Sequence, residues 1–193
     1  MNARPDSKIR AVGALTHLDE HGRARMVDIT AKPLTRRVAV ARCAVITIVD
    51  AVEALGDPGH GLDPVEAARV AGIQAAKQTA SLVPLCHSLR VDLVSVAVEM
   101  SPHRIEITAV TEIVERTGVE MEALTACAVS GLTLVGSLLE FDPDVSMEEL
   151  AVWHKSGGRS GEWDRDTHAQ QDLLKAPPAV TAKPAGHNPL QQG

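Results

Sequence analysis

The chain has 193 residues, a net charge of −6 and 45% hydrophobic residues, yet only 2% aromatics and no Tyr. Its core must therefore be close-packed Val, Leu, Ile and Ala, and its acidic balance excludes a basic face over the whole molecule of the kind nucleic acids need. Cys43, Cys86 and Cys127 lie far apart, no apolar leader opens the chain and no apolar run reads as long enough to span a membrane, so the expected setting is a reduced cytoplasm with the cysteines as small buried hydrophobes.

In chain order, residues 1–12 read as a flexible N-terminus, 13–163 as one domain and 164–193 as a polar, aperiodic, disordered tail. Arg37 to Thr47 alternates and is β-branched, which predicts a strand, and Ile46 to Leu55 shows helical spacing. Asp63-Pro64 is a helix start, with a capping residue before proline, and the helix is predicted to about Ala80 with a small-residue face of Ala67, Ala68, Ala71, Ala75 and Ala76. Pro84 pushes Val83 out of the helical region and ends it. Arg90 to Met100 and Arg104 to Val114 form a predicted hairpin, the second strand turning Ile105, Ile107, Ala109, Thr111 and Ile113 to one side. Thr117 to Glu120 has the form of a capping box opening a helix to about Leu139, and Glu149 to His154 reads as a last short strand. Strand, helix, strand, strand, helix, strand is the ferredoxin-like α+β order, an antiparallel sheet covered by helices.

Four groups with chemical potential sit at element ends. Cys86-His87 follows the Pro84 corner, and imidazole is the side chain suited to proton transfer near neutral pH. Arg116 through Glu122 places two carboxylates in the first turn of a helix, where acids also serve the helix dipole. Lys77 lies near the end of the Ala-rich helix, where a lysine also has a dipole role. Lys155-Ser156-Gly157-Gly158-Arg159-Ser160-Gly161 combines cations, hydroxyls and glycines able to cradle phosphates, although it is not a Walker A loop because its lysine precedes the glycines. One Cys-His pair does not make a zinc site, and no metal or cofactor is called for.

Taken together, Leu15-Thr16-His17, Met26 to Lys32, Arg69 to Lys77, Leu82 to Leu89, Thr117 to Ala126 and Lys155 to Gly161 resemble the MoaC family of cyclic pyranopterin monophosphate synthases in molybdenum cofactor biosynthesis. The resemblance spans residues 13–163. It implies a ferredoxin-like subunit in a hexamer of dimers with sites at subunit interfaces. It also implies a GTP-derived substrate, 3′,8-cyclo-7,8-dihydroguanosine triphosphate, rearranged with release of pyrophosphate. On it, Leu85, Cys86 and His87 match one substrate-binding segment and Met121 with Glu122 another; if the chain is a synthase, His87 is the remaining acid/base, and Lys77, Arg116, Lys155 and Arg159 meet the phosphates.

The chain departs from the family at three positions: Gly136 and Leu139 stand where an aspartate and a lysine are expected, and Gly61 where a second lysine is expected. Three readings follow. One is a divergent synthase with rearranged machinery. Another is a non-catalytic relative that binds pterin or nucleotide, or serves as partner to an active paralogue. The third is a related reaction on a different nucleotide.

Overall fold

The computed structural model describes residues 17–56 and 63–165. Its elements are β1 (Thr35–Ile46), α1 (Ala51–Leu55), α2 (Pro64–Ala76), α3 (Thr79–Leu82), β2 (Leu93–Ser101), β3 (Arg104–Glu115), α4 (Glu120–Leu138), β4 (Ser146–Ser156) and β5 (Trp163–Asp164). The strands form one sheet in the order β2-β3-β1-β4-β5, every pairing antiparallel. Without β5, that is the ferredoxin-like arrangement the element order called for. β1 is central: Val40 lies opposite Val110 on one side and His154 on the other.

Period-2 patterning explains why one face of this sheet is covered. Ala39, Ala41, Cys43 and Val45 of β1 and Ile105, Ile107, Ala109, Thr111 and Ile113 of β3 are buried, together with Ala123, Ala126, Cys127, Leu134 and Leu138 of α4. The opposite face keeps polar pairs in reach of water. Arg36 bonds Glu112, and the Arg42 guanidinium sits 4.8 Å from the centroid of Trp153.

Helix ends follow local chemistry, with three departures from the sequence reading. Asp63 caps α2 by accepting from the Val65 N–H at 2.9 Å, with Pro64 in the first turn, as read. The predicted run to Ala80 instead breaks at Ala76, and a separate turn, α3, carries the chain to an extended Val83 before Pro84. Helical spacing from Ile46 does not produce a helix until Ala51. Thr47 and Ile48 are held out of it by the buried carboxylate of Asp142, which accepts from the Thr47 hydroxyl at 2.7 Å and the Ile48 N–H at 2.8 Å. Those two donors hold the Asp142 carboxyl below the usual range, the Ile48 N–H contributing most.

The capping box does not form. The cap position is Val119, with no side-chain cap bond, because Glu120 turns its carboxylate outward to the ammonium of Lys155 at 3.4 Å. The last strand is longer than read, since β4 pairs along most of β1. At 19 residues and mean hydropathy 1.5, α4 is long and apolar enough to cross a membrane, which corrects the expectation that no run reaches that length. Half of it is buried against the sheet and α2, as a core helix is. Asp164 lies in β5 rather than in the tail; residues 166–193 and the whole N-terminal segment, 1–12, lie outside the described residues.

The Ala-rich face does what small side chains permit: α2 and α4 approach closely enough for the Ser130 hydroxyl to donate to the Ala68 carbonyl at 2.9 Å. At Gly72, a methyl group would collide with the Ser130 hydroxyl and stand 2.8 Å from the Ala126 carbonyl oxygen. Gly72→Ala should therefore destabilise the fold by about 1–3 kcal/mol despite the better helix propensity of alanine, because overpacking outweighs propensity here. Denaturant midpoints of the two proteins measure this; an unchanged or higher midpoint would refute the close approach.

Candidate functional site

An open cleft of about 970 Å³ lies where the first residues of β1, the end of β3, the start of α4 and the loop after β4 meet the segment before β1. Lys32, Arg37, Arg116, Lys155 and Arg159 line it against a single carboxylate, Glu120. In a chain of net charge −6, that concentration of cations makes a local anion-attracting field.

The glycine loop is shaped for this place. Gly157 and Gly158 have φ of +93° and +70°, a region that L side chains rarely adopt. A methyl group on Gly157 would overlap the Arg36 carbonyl oxygen, and one on Gly158 the Arg37 guanidinium. Glycine thus lets the loop lie against the start of β1 while Lys155 and Arg159 reach the cleft. Arg37 in turn ties β1 to the end of β3, donating to the carbonyls of Glu115 at 3.0 Å and Arg116 at 3.1 Å. Two buried polar atoms of cleft-lining residues, Thr35 Oγ1 and Arg116 Nε, have no partner among the described residues. A buried unsatisfied donor costs about 1–3 kcal/mol, a penalty that a bound anion could relieve if the side chains turned toward it.

The Pro84 corner reaches the same cleft. Leu85 takes φ +65°, left-handed backbone in a residue other than glycine, at a cost of roughly 1–3 kcal/mol. Its turn carries the chain to His87, whose ring Nε2 stands 2.8 Å from the Val27 carbonyl oxygen across 60 positions of sequence. Both His87 and Val27 line the cleft.

Of the residues expected from sequence, the structure brings His87, Arg116, Lys155 and Arg159 together in the cleft wall. Cys86 and Glu122 form a second group beside it. Burial pushes the Cys86 thiol up, and the charge of Glu122 pushes it further. Glu122 is 4% exposed; burial raises its carboxyl, its own backbone N–H opposes this, and the charge of Glu120 adds to the rise. Leu85, Met121 and Lys77 are exposed and do not line the cleft, Lys77 lying at the C-cap of α2. The cleft residues that sequence reading left without a role are His17, Val27, Lys32, Thr35 and Arg37. The first three stand in stretches already quoted for the resemblance, so the signal was present without an assigned function.

A carboxyl whose folded pKa is raised favours folding most fully below its unfolded value, near 4.5, and loses that contribution as pH rises toward the folded value. Glu122→Gln keeps the shape and removes the buried charge. We expect its thermal midpoint to exceed that of the natural protein at pH 7 and the difference to shrink toward pH 4; midpoints equal at every pH would exclude the effect.

Gly136 and Leu139, two of the three departures, do not line this cleft. Gly136 lies 16 residues along α4 from Glu120, about 24 Å at the helical rise of 1.5 Å per residue. Leu139 is half exposed, and a Cβ at Gly136 would meet nothing within 4 Å. Gly61 lies outside the described residues. Among the described residues, His154, Glu162 and Asp164 are the one set whose donor atoms, all within 4.8 Å of one another, could share a metal ion. In that set His154 Nδ1 already stands 2.8 Å from an Asp164 oxygen.

Residues 26–158 match the model of the MoaC family. Cyclic pyranopterin monophosphate synthase 2 of Mycobacterium tuberculosis is 46% identical over 154 residues, 79% of this chain and 92% of that protein. Synthase 1 of the same organism is also 46% identical over 154 residues, covering 79% of this chain and 91% of its own length. Cyclic pyranopterin monophosphate synthase of Thermomicrobium roseum is 48% identical over 156 residues, 79% of this chain and 93% of that protein.

Proposed function

This chain belongs to the MoaC family, and on that premise we propose that it works in molybdenum cofactor biosynthesis as a cyclic pyranopterin monophosphate synthase. Its substrate is the GTP-derived 3′,8-cyclo-7,8-dihydroguanosine triphosphate, and pyrophosphate is the leaving product. The observation that carries the reading is the cleft itself: Lys32, Arg37, Arg116, Lys155 and Arg159 around a glycine loop, with His87 in the same wall.

The chemistry asks two things of the protein. Phosphate charge that develops as pyrophosphate departs must be met by fixed cations, and protons must be moved at the rearranging base and sugar. Lys155, Arg159 and Arg116 supply the first, and His87 the second. Lys77, exposed at the end of α2, does not line the cleft. Cys86 and Glu122, beside the cleft, take the heterocycle, with Leu85 and Met121 next to them in the chain.

The protein works as an oligomer whose clefts are completed by another copy. Support comes from α4: positions 136 and 139, where the family resemblance puts an acid and a lysine, lie about 24 Å and about 28 Å from the cleft end of their own helix. Side chains there can serve a cleft only across an interface. The relatives at 46–48% identity lend no support to a non-catalytic role.

Purified full-length protein given the cyclic triphosphate, with pterin product and pyrophosphate both measured, tests the reading. Stoichiometric release of the two is the expected result. Tight binding of the triphosphate with neither product formed would sink it.

A further inference from the structure

We propose that the Val27 main-chain carbonyl makes Nδ1 of His87 the atom that exchanges protons with whatever the cleft binds. The inference rests on the synthase reading only for the identity of the substrate. Its physical basis is the contact between His87 Nε2 and the Val27 oxygen at 2.8 Å, the single hydrogen bond of that ring among the described residues.

A carbonyl oxygen carries no hydrogen, so it can only accept. Nε2 must therefore carry the proton in this contact, whether the ring is neutral or cationic. In the neutral ring one nitrogen donates and the other keeps its lone pair; with Nε2 committed, the lone pair is on Nδ1. As a base His87 takes a proton at Nδ1, and as an acid it returns that same proton, with the Val27 bond unbroken throughout.

The surrounding chain holds both partners of the contact. On one side, the left-handed turn at Leu85, following Pro84, sets the direction from which His87 arrives. On the other, Val27 precedes a tight turn in which Asp28 accepts from the Thr30 N–H at 2.9 Å and the Thr30 hydroxyl at 2.7 Å. Val27 is thus a positioning residue acting through its backbone, which no side-chain substitution at position 27 would reveal.

Two measurements on the full-length protein test this. In protein labelled with ¹⁵N-histidine, the resonances of His87 are identified by their loss in His87→Gln. Below full protonation, Nε2 should show an attached hydrogen and Nδ1 the shift of an unprotonated nitrogen; a hydrogen on Nδ1, or an average of the two tautomers, overturns the proposal. Separately, histidine methylated on Nδ1 or on Nε2 is incorporated at position 87. Blocking Nδ1 should cost about 10²–10⁴ in turnover, as loss of a general acid–base does. Blocking Nε2 removes only the anchor and should cost about tenfold. The reverse order also overturns the proposal. If the unmodified protein forms no pterin, the synthase reading fails, and the tautomer spectrum still decides this one.

Discussion

Gly61→Lys, Gly136→Asp and Leu139→Lys introduced together should raise turnover of the cyclic triphosphate by about 10² or more, judged by what one positioned charged or donor group contributes elsewhere. The backbone will accept two of the changes. Position 136 has open space around a built Cβ, and the helix gains rather than loses propensity when a glycine is replaced. Leu139 is half exposed, so a lysine there buries no charge. The separation of position 136 from Glu120 along α4 makes a sharper demand in the proposed oligomer: the groups restored on α4 act on a neighbour's cleft. A restored chain that also carries Lys155→Met should, alone, lose about 10²–10³ of the restored turnover, because its own clefts are disabled. Mixed with the natural chain, it should recover activity, since each natural cleft can then meet a restored α4 end. No gain in the mixture, with mixed oligomers demonstrated, would show that the cleft is not completed in this way.

Lys155→Met should lower kcat/KM by about 10²–10³ while leaving the fold intact. Lys155 is about a third exposed in its side chain, so the aliphatic stem is retained and only the charge is removed. The ammonium rests 3.4 Å from Glu120 and must be shared with, or surrendered to, an incoming phosphate. Glu120→Gln is therefore the informative companion. With its competitor neutralised, Lys155 should hold inorganic pyrophosphate more tightly, while the pair, each side chain about a third exposed, contributes too little to stability for its loss to show. Titration calorimetry with pyrophosphate reads both variants. Equal affinity in all three proteins would remove Lys155 from the anion site.

Much of the fold could be read from short-range signals. Period 2 in Arg104 to Val114 placed five side chains on one face, and those five are the buried ones. Asp63-Pro64 and Val83-Pro84 marked a helix start and a helix limit because capping and proline geometry act within a few residues. The errors arose where a distant partner intervened. Thr47 and Ile48 follow Asp142, about ninety-five positions away, instead of their helical spacing. Glu120 follows Lys155 instead of the capping box.

The site divides along the same line. Its chemical inventory was visible in the chain: the Cys86-His87 pair, the cation-and-glycine loop and the acidic helix start are contiguous, and each residue type has its chemistry wherever it stands. Local sequence thus determined which groups were available, while the family resemblance marked positions 61, 136 and 139 as lacking expected ones. Only the tertiary structure decided which groups meet. Antiparallel pairing of β1 with β3 and β4 brings Arg37, Arg116 and Lys155 to one sheet end, while a straight helix keeps Gly136 and Leu139 away from it. The Val27 carbonyl belongs to the second kind of fact. Every residue carries a carbonyl, so nothing in the sequence distinguishes the one that the fold sets against His87.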